Sequence, residues 1–181
     1  MRRNTLAIFL FCFFLILTGQ ASAQPQPAQP KMPYRDAGAC PFECCTYRDW
    51  TANKATVLRT QMNEGSSIAF RVKKGEKVRG VTGVVITARA GVVRALKNTA
   101  VGDNNTRVKT GELLYLLTYT GEGFYDTWFK GKVFSYSFYD NKSLKLVSEP
   151  TSVWWVKIRN SKGKVGWTKL PDNFDNKDSC G

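Results

Sequence analysis

The sequence predicts an all-β fold, and three observations support this. Beyond Ala55, apolar and polar residues alternate with a period of two, as they do along strands that bury one face. Turns rich in glycine separate these short stretches at close spacing, which is typical of β-sandwiches and small barrels. No stretch of this region carries the apolar stripe of an amphipathic helix.

The first residues predict an export signal peptide at 1–23. Two arginines come first, an apolar run from Leu6 to Leu17 follows, and Ala21-Ser22-Ala23 forms a small-residue cleavage site. The apolar run is shorter than the ~20 residues that span a bilayer. An uncleaved anchor is therefore the weaker alternative, and we expect a secreted or periplasmic product that does not span the membrane after cleavage. The Pro/Gln-rich stretch 24–39 predicts a flexible leader.

Four cysteines remain after cleavage: Cys40, Cys44, Cys45 and Cys180. An even number in an exported chain indicates disulfides, because the export compartment is oxidising. A bond between adjacent Cys44 and Cys45 would be strained, which leaves two pairings, and both link Cys180 to the N-terminal cluster. A zinc site is the alternative, but the C-x3-C-C spacing and the lack of histidine disfavour it. We expect no metal and no cofactor.

The predicted strands follow in order from these alternations. They are Thr56–Thr60, Ile68–Val72, Lys77–Thr82, Val84–Thr87, Val92–Leu96, Glu112–Thr120, Ser152–Arg159 and Val165–Leu170, with an aromatic-rich run at Phe124–Tyr139. Gly91 indicates a hairpin between its two neighbouring strands. The polar loop 98–106 is where residues 40–181 would divide if they form two domains. Gly75-Glu76 and Gly111-Glu112 both begin a G-E-x4-[VL]-T pattern. The repeat indicates either an internal duplication or a residue pattern that unrelated strands often share.

The end of the chain predicts a hairpin with one apolar face. Along Trp154-Trp155-Val156-Lys157-Ile158-Arg159, alternation places Trp154, Val156 and Ile158 on one face and Trp155, Lys157 and Arg159 on the other. Gly163 permits the tight turn, and Gly166-Trp167 opens the next strand.

This hairpin resembles the closing element of bacterial SH3-like (Src homology 3-like) domains, in which a W-x-x-V strand, a glycine turn and G-W-[VT] follow one another. Lys73-Lys74-Gly75-Glu76-Lys77-Val78 and Val57-Leu58-Arg59 resemble earlier strands of that family. The resemblance spans Ala55 to Leu170 and implies small SH3-like barrels, with an excess between Gly83 and Thr151. Either two such barrels share that excess or one barrel carries a long insertion.

The composition disfavours an enzyme. The chain has no histidine, which removes the usual general base and metal ligand, and most of its carboxylates lie at turns where solvated residues are expected. Loss of Arg2 and Arg3 with the signal peptide lowers the formal net charge from +13 to +11, which still favours anionic partners.

Aromatic rings beside cations indicate a binding surface. We expect Trp155, Lys157, Arg159 and Trp167 to bind ligand, because rings next to cations suit sugars, peptides and anionic polymers. Phe134, Tyr136 and Phe138 share a face that is more typical of a core. The predicted function is a non-catalytic module for a cell-envelope ligand, peptidoglycan peptide or glycan. The alternative is a binder of an envelope protein, as an assembly factor or inhibitor, and no nucleic-acid partner is expected.

Overall fold

A computed structural model describes residues 28–139 and 141–180, so the predicted signal peptide lies outside the described residues. The all-β prediction is confirmed. The strands are β1 (Tyr34–Ala37), β2 (Asp49–Ala52), β3 (Thr56–Arg59), β4 (Ile68–Val72), β5 (Lys77–Arg89), β6 (Gly91–Ala95), β7 (Thr99–Val101), β8 (Thr106–Val108), β9 (Leu113–Gly121), β10 (Phe124–Phe129), β11 (Lys132–Ser137), β12 (Leu144–Ser148), β13 (Thr151–Arg159), β14 (Val165–Thr168) and β15 (Phe174–Asp175). The described residues contain no helix long and apolar enough to cross a membrane.

The first sheet contains eight strands and curls into a half barrel. Its order is β15-β2-β5-β13-β14-β3-β4. Strand β5 is long enough to pair with both β2 and β1 on one edge and with β13 on the other. Its inner face buries a core of alternating residues from both ends of the chain: Trp50, Ala52, Leu58, Val72, Val78, Val156, Ile158 and Phe174.

The second sheet is built from the stretch between β5 and β13. Strands β6 and β9–β12 pair in the order β11-β10-β9-β6-β12, and β7 and β8 form a separate hairpin. We call this five-stranded unit the inserted sheet. It has its own core, which includes Val93, Val101, Val108, Leu114, Leu116, Tyr125, Phe129 and Phe138.

The two sheets share a strand order. Within the first sheet the run β15-β2-β5-β13-β14 matches β12-β6-β9-β10-β11 of the inserted sheet, strand for strand in chain order. Gly75 N donates to Ala52 O at 2.7 Å and Gly111 N donates to Ala95 O at 2.8 Å, so the two G-E patterns occupy the same turn. The following glutamate accepts a hydrogen bond from a lysine backbone N–H in both turns, Lys73 to Glu76 at 3.0 Å and Lys109 to Glu112 at 2.7 Å.

One part of the predicted leader forms a strand. The flexible leader was expected to reach residue 39, but Tyr34–Ala37 form strand β1 and pair with residues 84–87 of β5. The prediction is wrong for this segment because the far half of β5 presents an edge that β2 is too short to cover. Whether this segment forms a strand depends on the free edge of β5, and the local composition of the segment contains no information about that edge.

The predicted hairpin at Gly91 is also wrong. Strand β5 pairs with β13, whereas β6 pairs with β9 and β12, so Gly91 lies where the chain passes from one sheet to the other. A side chain there would meet Pro150, 2.8 Å from the ideal Cβ position, and the carbonyl oxygen of Ser148 at 2.9 Å. Glycine is needed because the outgoing and returning segments pass each other closely at this point.

Most of the other strand predictions agree with the structure to within a residue or two. Two predicted strands merge into β5 across Gly83, and the polar loop 98–106 contains β7 and the first residue of β8. Phe138 is buried, and Phe134 and Tyr136 pack against the same core, as predicted for that face. Val156 and Ile158 are fully buried with Trp154 packed beside them, which confirms the apolar face of β13.

The disulfide prediction is confirmed, and one of the two expected pairings is present. Cys40 bonds to Cys45, and Cys44 bonds to Cys180. Cys44 Sγ and Cys180 Sγ lie near the Glu43 carboxylate, but sulfurs bonded to each other are not thiolates and do not form a metal site.

Candidate ligand-binding face

The outer face of the first sheet, opposite the core that contains Trp50 and Ile158, carries a tryptophan flanked by cations. Lys157 and Trp167 are Cα partners on β13 and β14, and Arg59 on β3 is the partner of Trp167 on its other side. The Lys157 ammonium lies 5.6 Å from the centroid of the half-buried Trp167 ring. This is cation–π geometry, so the structure brings together two of the four residues predicted to bind ligand.

Trp155 does not form an exposed part of this surface. Its side chain is only 6% exposed, so the expectation of an exposed ring at this position is wrong. Trp155 lies mid-strand beside a cavity of about 280 Å³, which Val57 and Leu170 also line. Lys157 and Arg159 lie nearer to the open turn at 160–163, which explains why they remain accessible while Trp155 does not.

Arg159 lies in a neighbouring depression of about 460 Å³ on the same sheet. We call it the cationic cleft and define it by Asp49, Lys77, Arg79, Arg159, Ser161 and Asn176, which line it. Strand alternation places Lys77 and Arg79 outward while Val78 between them is buried. The turn after β13 supplies Ser161.

Positive charge in the cationic cleft is only partly compensated. Arg79 Nη1 lies 3.2 Å from Asp49 Oδ1, but the Asp49 side chain is 79% exposed, so water screens this pair. Arg79 and Arg159 are direct Cα partners across β5 and β13. Neither Lys77 nor Arg159 forms a salt bridge with any carboxylate in the described part of the chain.

The C-terminal tail forms one wall of the cleft. Asn176 Nδ2 donates to the backbone oxygen of Asp49, and Arg48 Nε donates to the backbone oxygen of Asn176 at 2.9 Å. Thr46 N donates to Lys177 O at 2.8 Å, and the Cys44–Cys180 bond follows immediately. The wall is therefore held by backbone pairing and a covalent link.

Sequence reasoning missed Lys77, Arg79 and Asp49. The alternation Lys77-Val78-Arg79 indicated two cations on one exposed face, and that signal was available. What the sequence did not contain was the register that places Arg79 opposite Arg159 and beside Asp49. Because these residues are far apart in the chain, only the pairing of β2, β5 and β13 joins them.

The equivalent place on the inserted sheet is apolar and covered. Counting from the shared turns, Val92, Leu113 and Tyr115 correspond to Asp49, Lys77 and Arg79. Trp128, the Cα partner of Tyr115, corresponds to Arg159, and its ring contacts that of Tyr115 at a centroid distance of 5.6 Å.

The cover is the first part of the described chain. Met32 and Tyr34 pack against the cluster that contains buried Tyr115 and Trp128. Gln29 and Pro30 line the adjoining cavity of about 330 Å³ together with Val92 and Leu113. The segment 29–34 therefore occupies, on the inserted sheet, the place that the cationic cleft leaves open on the first sheet.

Two half-buried carboxyl groups lie between β1 and the inserted sheet. Burial, and then the charge of Asp36, raise the pKa of Asp126. Burial also raises the pKa of nearby Tyr34, with smaller contributions from Asp126 and Asp36. This environment disfavours the charged form of Asp126, which is a cost to stability at neutral pH.

Comparison with protein-family models, curated proteins and solved structures finds no match to this chain. The interpretation of the outer face therefore rests on its own geometry.

Proposed function

We propose that this protein is an exported, non-catalytic binding module of the SH3-like type whose ligand is a component of the cell envelope, peptidoglycan peptide or glycan. The observation that carries the proposal is the half-buried pair of Lys157 and Trp167, with Arg59 in register on the other side. A flat ring between two cations suits a sugar face or a peptide that bears carboxylates.

The SH3-like part of the proposal is supported by the repeated five-strand order and by the closing hairpin. Gly163 adopts φ 77°, which the turn between β13 and β14 requires. A Cβ at Gly166 would lie 2.7 Å from Leu58 Cβ, so this glycine lets β14 pack closely on β3. In this proposal the first sheet and the inserted sheet are two barrels of one type, the second placed within the first.

The non-catalytic part is supported by the chemistry of the side chains. The sequence lacks histidine, and Cys40, Cys44, Cys45 and Cys180 are bonded in pairs, so none of these four is a nucleophilic thiol. Arg59, Lys157 and Trp167, which carry the proposal, are two cations and an indole, and these groups bind ligands readily but supply neither a general base nor a nucleophile at neutral pH.

Co-sedimentation of residues 24–181 with purified peptidoglycan, across a salt series, tests the proposal. We expect binding that persists at ~0.5 M salt, where attractions between exposed charges are largely screened. Trp167→Ala is expected to weaken it, whereas Phe124→Ala removes another exposed ring, on the inserted sheet, and is expected to leave it unchanged. No sedimentation at low salt, or equal effects of the two substitutions, would refute the proposal.

A protein partner is the second candidate function, and one observation favours it. The inserted sheet exposes Phe124, Tyr139 and Val147, which are 43%, 58% and 55% accessible. Exposed apolar side chains can contribute to a contact with another protein when they lie together in a patch. Under this alternative, an envelope extract yields a stoichiometric protein on immobilised wild-type chain but not on Phe124→Ala/Tyr139→Ala.

A further inference from the structure

We propose that the cationic cleft binds an acidic peptide and holds one carboxylate of that peptide between Arg79 and Arg159. The inference rests on the proposed binding function and adds the chemical class of the ligand. Three independent features of the described residues support it: uncompensated charge, an internal precedent for a peptide segment on this face, and a preformed wall.

The charge argument starts from the register of β5 and β13. Arg79 and Arg159 are directly opposed, and like charges in that relation are destabilising in a sheet. Asp49 pairs with Arg79, and no carboxylate of the described residues forms a salt bridge with Arg159 or Lys77 in the cleft. A carboxylate placed between the two guanidinium groups would relieve their repulsion and accept charge-assisted hydrogen bonds from both.

The peptide argument comes from the inserted sheet. There the corresponding face is covered by the segment 29–34 of the same chain, which packs Met32 and Tyr34 on Tyr115 and Trp128. This face of the shared strand arrangement therefore accommodates a segment of peptide chain. On the first sheet the same face is open, and its apolar residues are replaced by Asp49, Lys77, Arg79 and Arg159. The expected ligand is again a peptide segment, but one that carries acidic side chains.

The wall argument concerns preorganisation. Asn176 is fixed by hydrogen bonds to Asp49 and from Arg48, and its backbone has φ 66°. On the opposite side Ser161 follows Asn160, whose side-chain oxygen accepts from the backbone N–H groups of Lys162 and Lys164. Both rims are ordered in advance, so binding immobilises little of the protein, which favours affinity.

The test uses a capped peptide that alternates alanine and glutamate, with its glutamine analogue as the neutral control. We expect calorimetry on residues 24–181 to show binding of the glutamate peptide and at least ten-fold weaker binding of the analogue. Arg79→Gln and Arg159→Gln should each weaken binding about ten-fold, the range expected for losing a hydrogen bond to a charged group. Lys162→Gln removes an equal charge from the adjacent turn and should change affinity less than two-fold.

Three results would overturn the inference: equal affinity for the two peptides, equal weakening by Lys162→Gln and Arg159→Gln, or inorganic phosphate binding as tightly as the peptide. Equal affinity for the two peptides would show that the carboxylate is not recognised. Equal weakening by the two substitutions would show that only net charge matters. Tight phosphate binding would show a site for small oxyanions rather than for a peptide. Circular dichroism of each variant verifies folding.

Failure of this inference is distinguishable from failure of the proposed function. If peptidoglycan sediments the protein through Trp167 but the glutamate and glutamine peptides bind alike, only this inference fails. If the glutamate peptide binds through Arg159 but peptidoglycan does not sediment the protein, only the proposed envelope ligand fails.

Discussion

Arg79 and Arg159 face each other as Cα partners on β5 and β13, although they are separated by the whole inserted sheet in the chain. A sheet rarely gains stability from two guanidinium groups in this relation, because directly opposed like charges repel. Among the residues that the structure describes, only Arg79 of the two has a carboxylate partner, and that partner, Asp49, is mostly exposed. The relationship is therefore unfavourable for folding and useful for holding an anion.

Replacing Arg159 should separate stability from binding. Arg159→Gln is expected to raise the free energy of unfolding by about 0.5 kcal/mol at low salt, within the range for cross-strand charge pairs. The gain should shrink as added salt screens the repulsion. Urea denaturation at two ionic strengths measures it, with Lys164→Gln as the matched control on the adjacent turn. A loss of stability at low salt would contradict the assignment of repulsion.

Substitution of Gly83 should be strongly destabilising. A Cβ at this position would overlap Trp154 Nε1 and Tyr47 Oη and would lie 2.8 Å from the carbonyl oxygen of Ala39. These groups hydrogen-bond to one another, so they do not move apart without loss. We expect Gly83→Ala to cost about 1–3 kcal/mol in urea denaturation, the usual cost of overpacking.

The control for that substitution is Gly65→Ala. An added Cβ there meets only Asn63 Oδ1 at 3.4 Å, an ordinary contact with a side chain. Its effect on the unfolding midpoint should be small, and a cost equal to that of Gly83→Ala would show that the crowding argument is wrong.

The two disulfides should contribute unequally to stability. Cys44–Cys180 closes a sequence separation of 136 residues and Cys40–Cys45 one of 5. In the chain-entropy model these loops correspond to about 5 and about 2 kcal/mol, because the longer loop restricts the unfolded chain more. The comparison of Cys44→Ser/Cys180→Ser with Cys40→Ser/Cys45→Ser by urea denaturation measures the difference. Equal losses would argue against an effect on the unfolded state.

Asp126→Asn should stabilise the protein at neutral pH. Burial, then Asp36, raise the pKa of Asp126 in the folded state. Folding therefore favours the protonated carboxyl. The stability that it contributes is fully present at pH values below the pKa of the unfolded state, and it is lost as the pH rises through the pKa of the folded state. Asn mimics the uncharged form, so the melting temperature should rise at pH 7 and the gain should fade toward pH 3. The exposed loop variant Asp103→Asn should show no such pH-dependent gain.

The glutamate hydrogen bonds of the two shared turns should contribute similar amounts to the free energy of unfolding. Glu76 and Glu112 each accept a hydrogen bond from the backbone N–H three residues earlier. Glu76→Ala is expected to cost about 1 kcal/mol in the free energy of unfolding, a typical value for one hydrogen bond. Glu112→Ala should cost slightly more, because Glu112 also pairs with Lys130 at 2.6 Å. Additive losses in the double variant are expected for separate sites, and a cost confined to one turn would contradict their equivalence.

Local alternation was enough to predict the class of fold and most individual strands. Ile68–Val72 and the apolar face of β13 illustrate this, because period-two patterning is visible within a few residues. Strand β1 was not predictable in the same way, because Tyr34–Ala37 is ordered by pairing with a distant edge of β5. Gly91 was misinterpreted because the sequence does not distinguish a turn glycine from one required by the close approach of Pro150.

The candidate site was predicted only in part, for the same reason. Lys157 and Trp167 lie on adjacent strands of one hairpin, so their proximity follows from local register. The burial of Trp155 and the meeting of Arg79 with Arg159 depend on strands contributed by remote parts of the chain. Which of these residues become buried or meet is determined by pairing between distant strands, and local residue patterns do not reveal that pairing.

Because the strands of the inserted sheet lie between β5 and β13 in the chain, the inserted sheet should be completed before the first sheet during synthesis. Strands β6 to β12 are contiguous, so the inserted sheet has all its strands before β13 is made, while β5 still lacks its main partner. A ribosome that pauses or terminates in this interval leaves a long unpaired strand edge, which is prone to aggregation. Truncations just before Thr151 should therefore be less soluble than their length suggests, and the last thirty or so residues decide whether the earliest strands are protected.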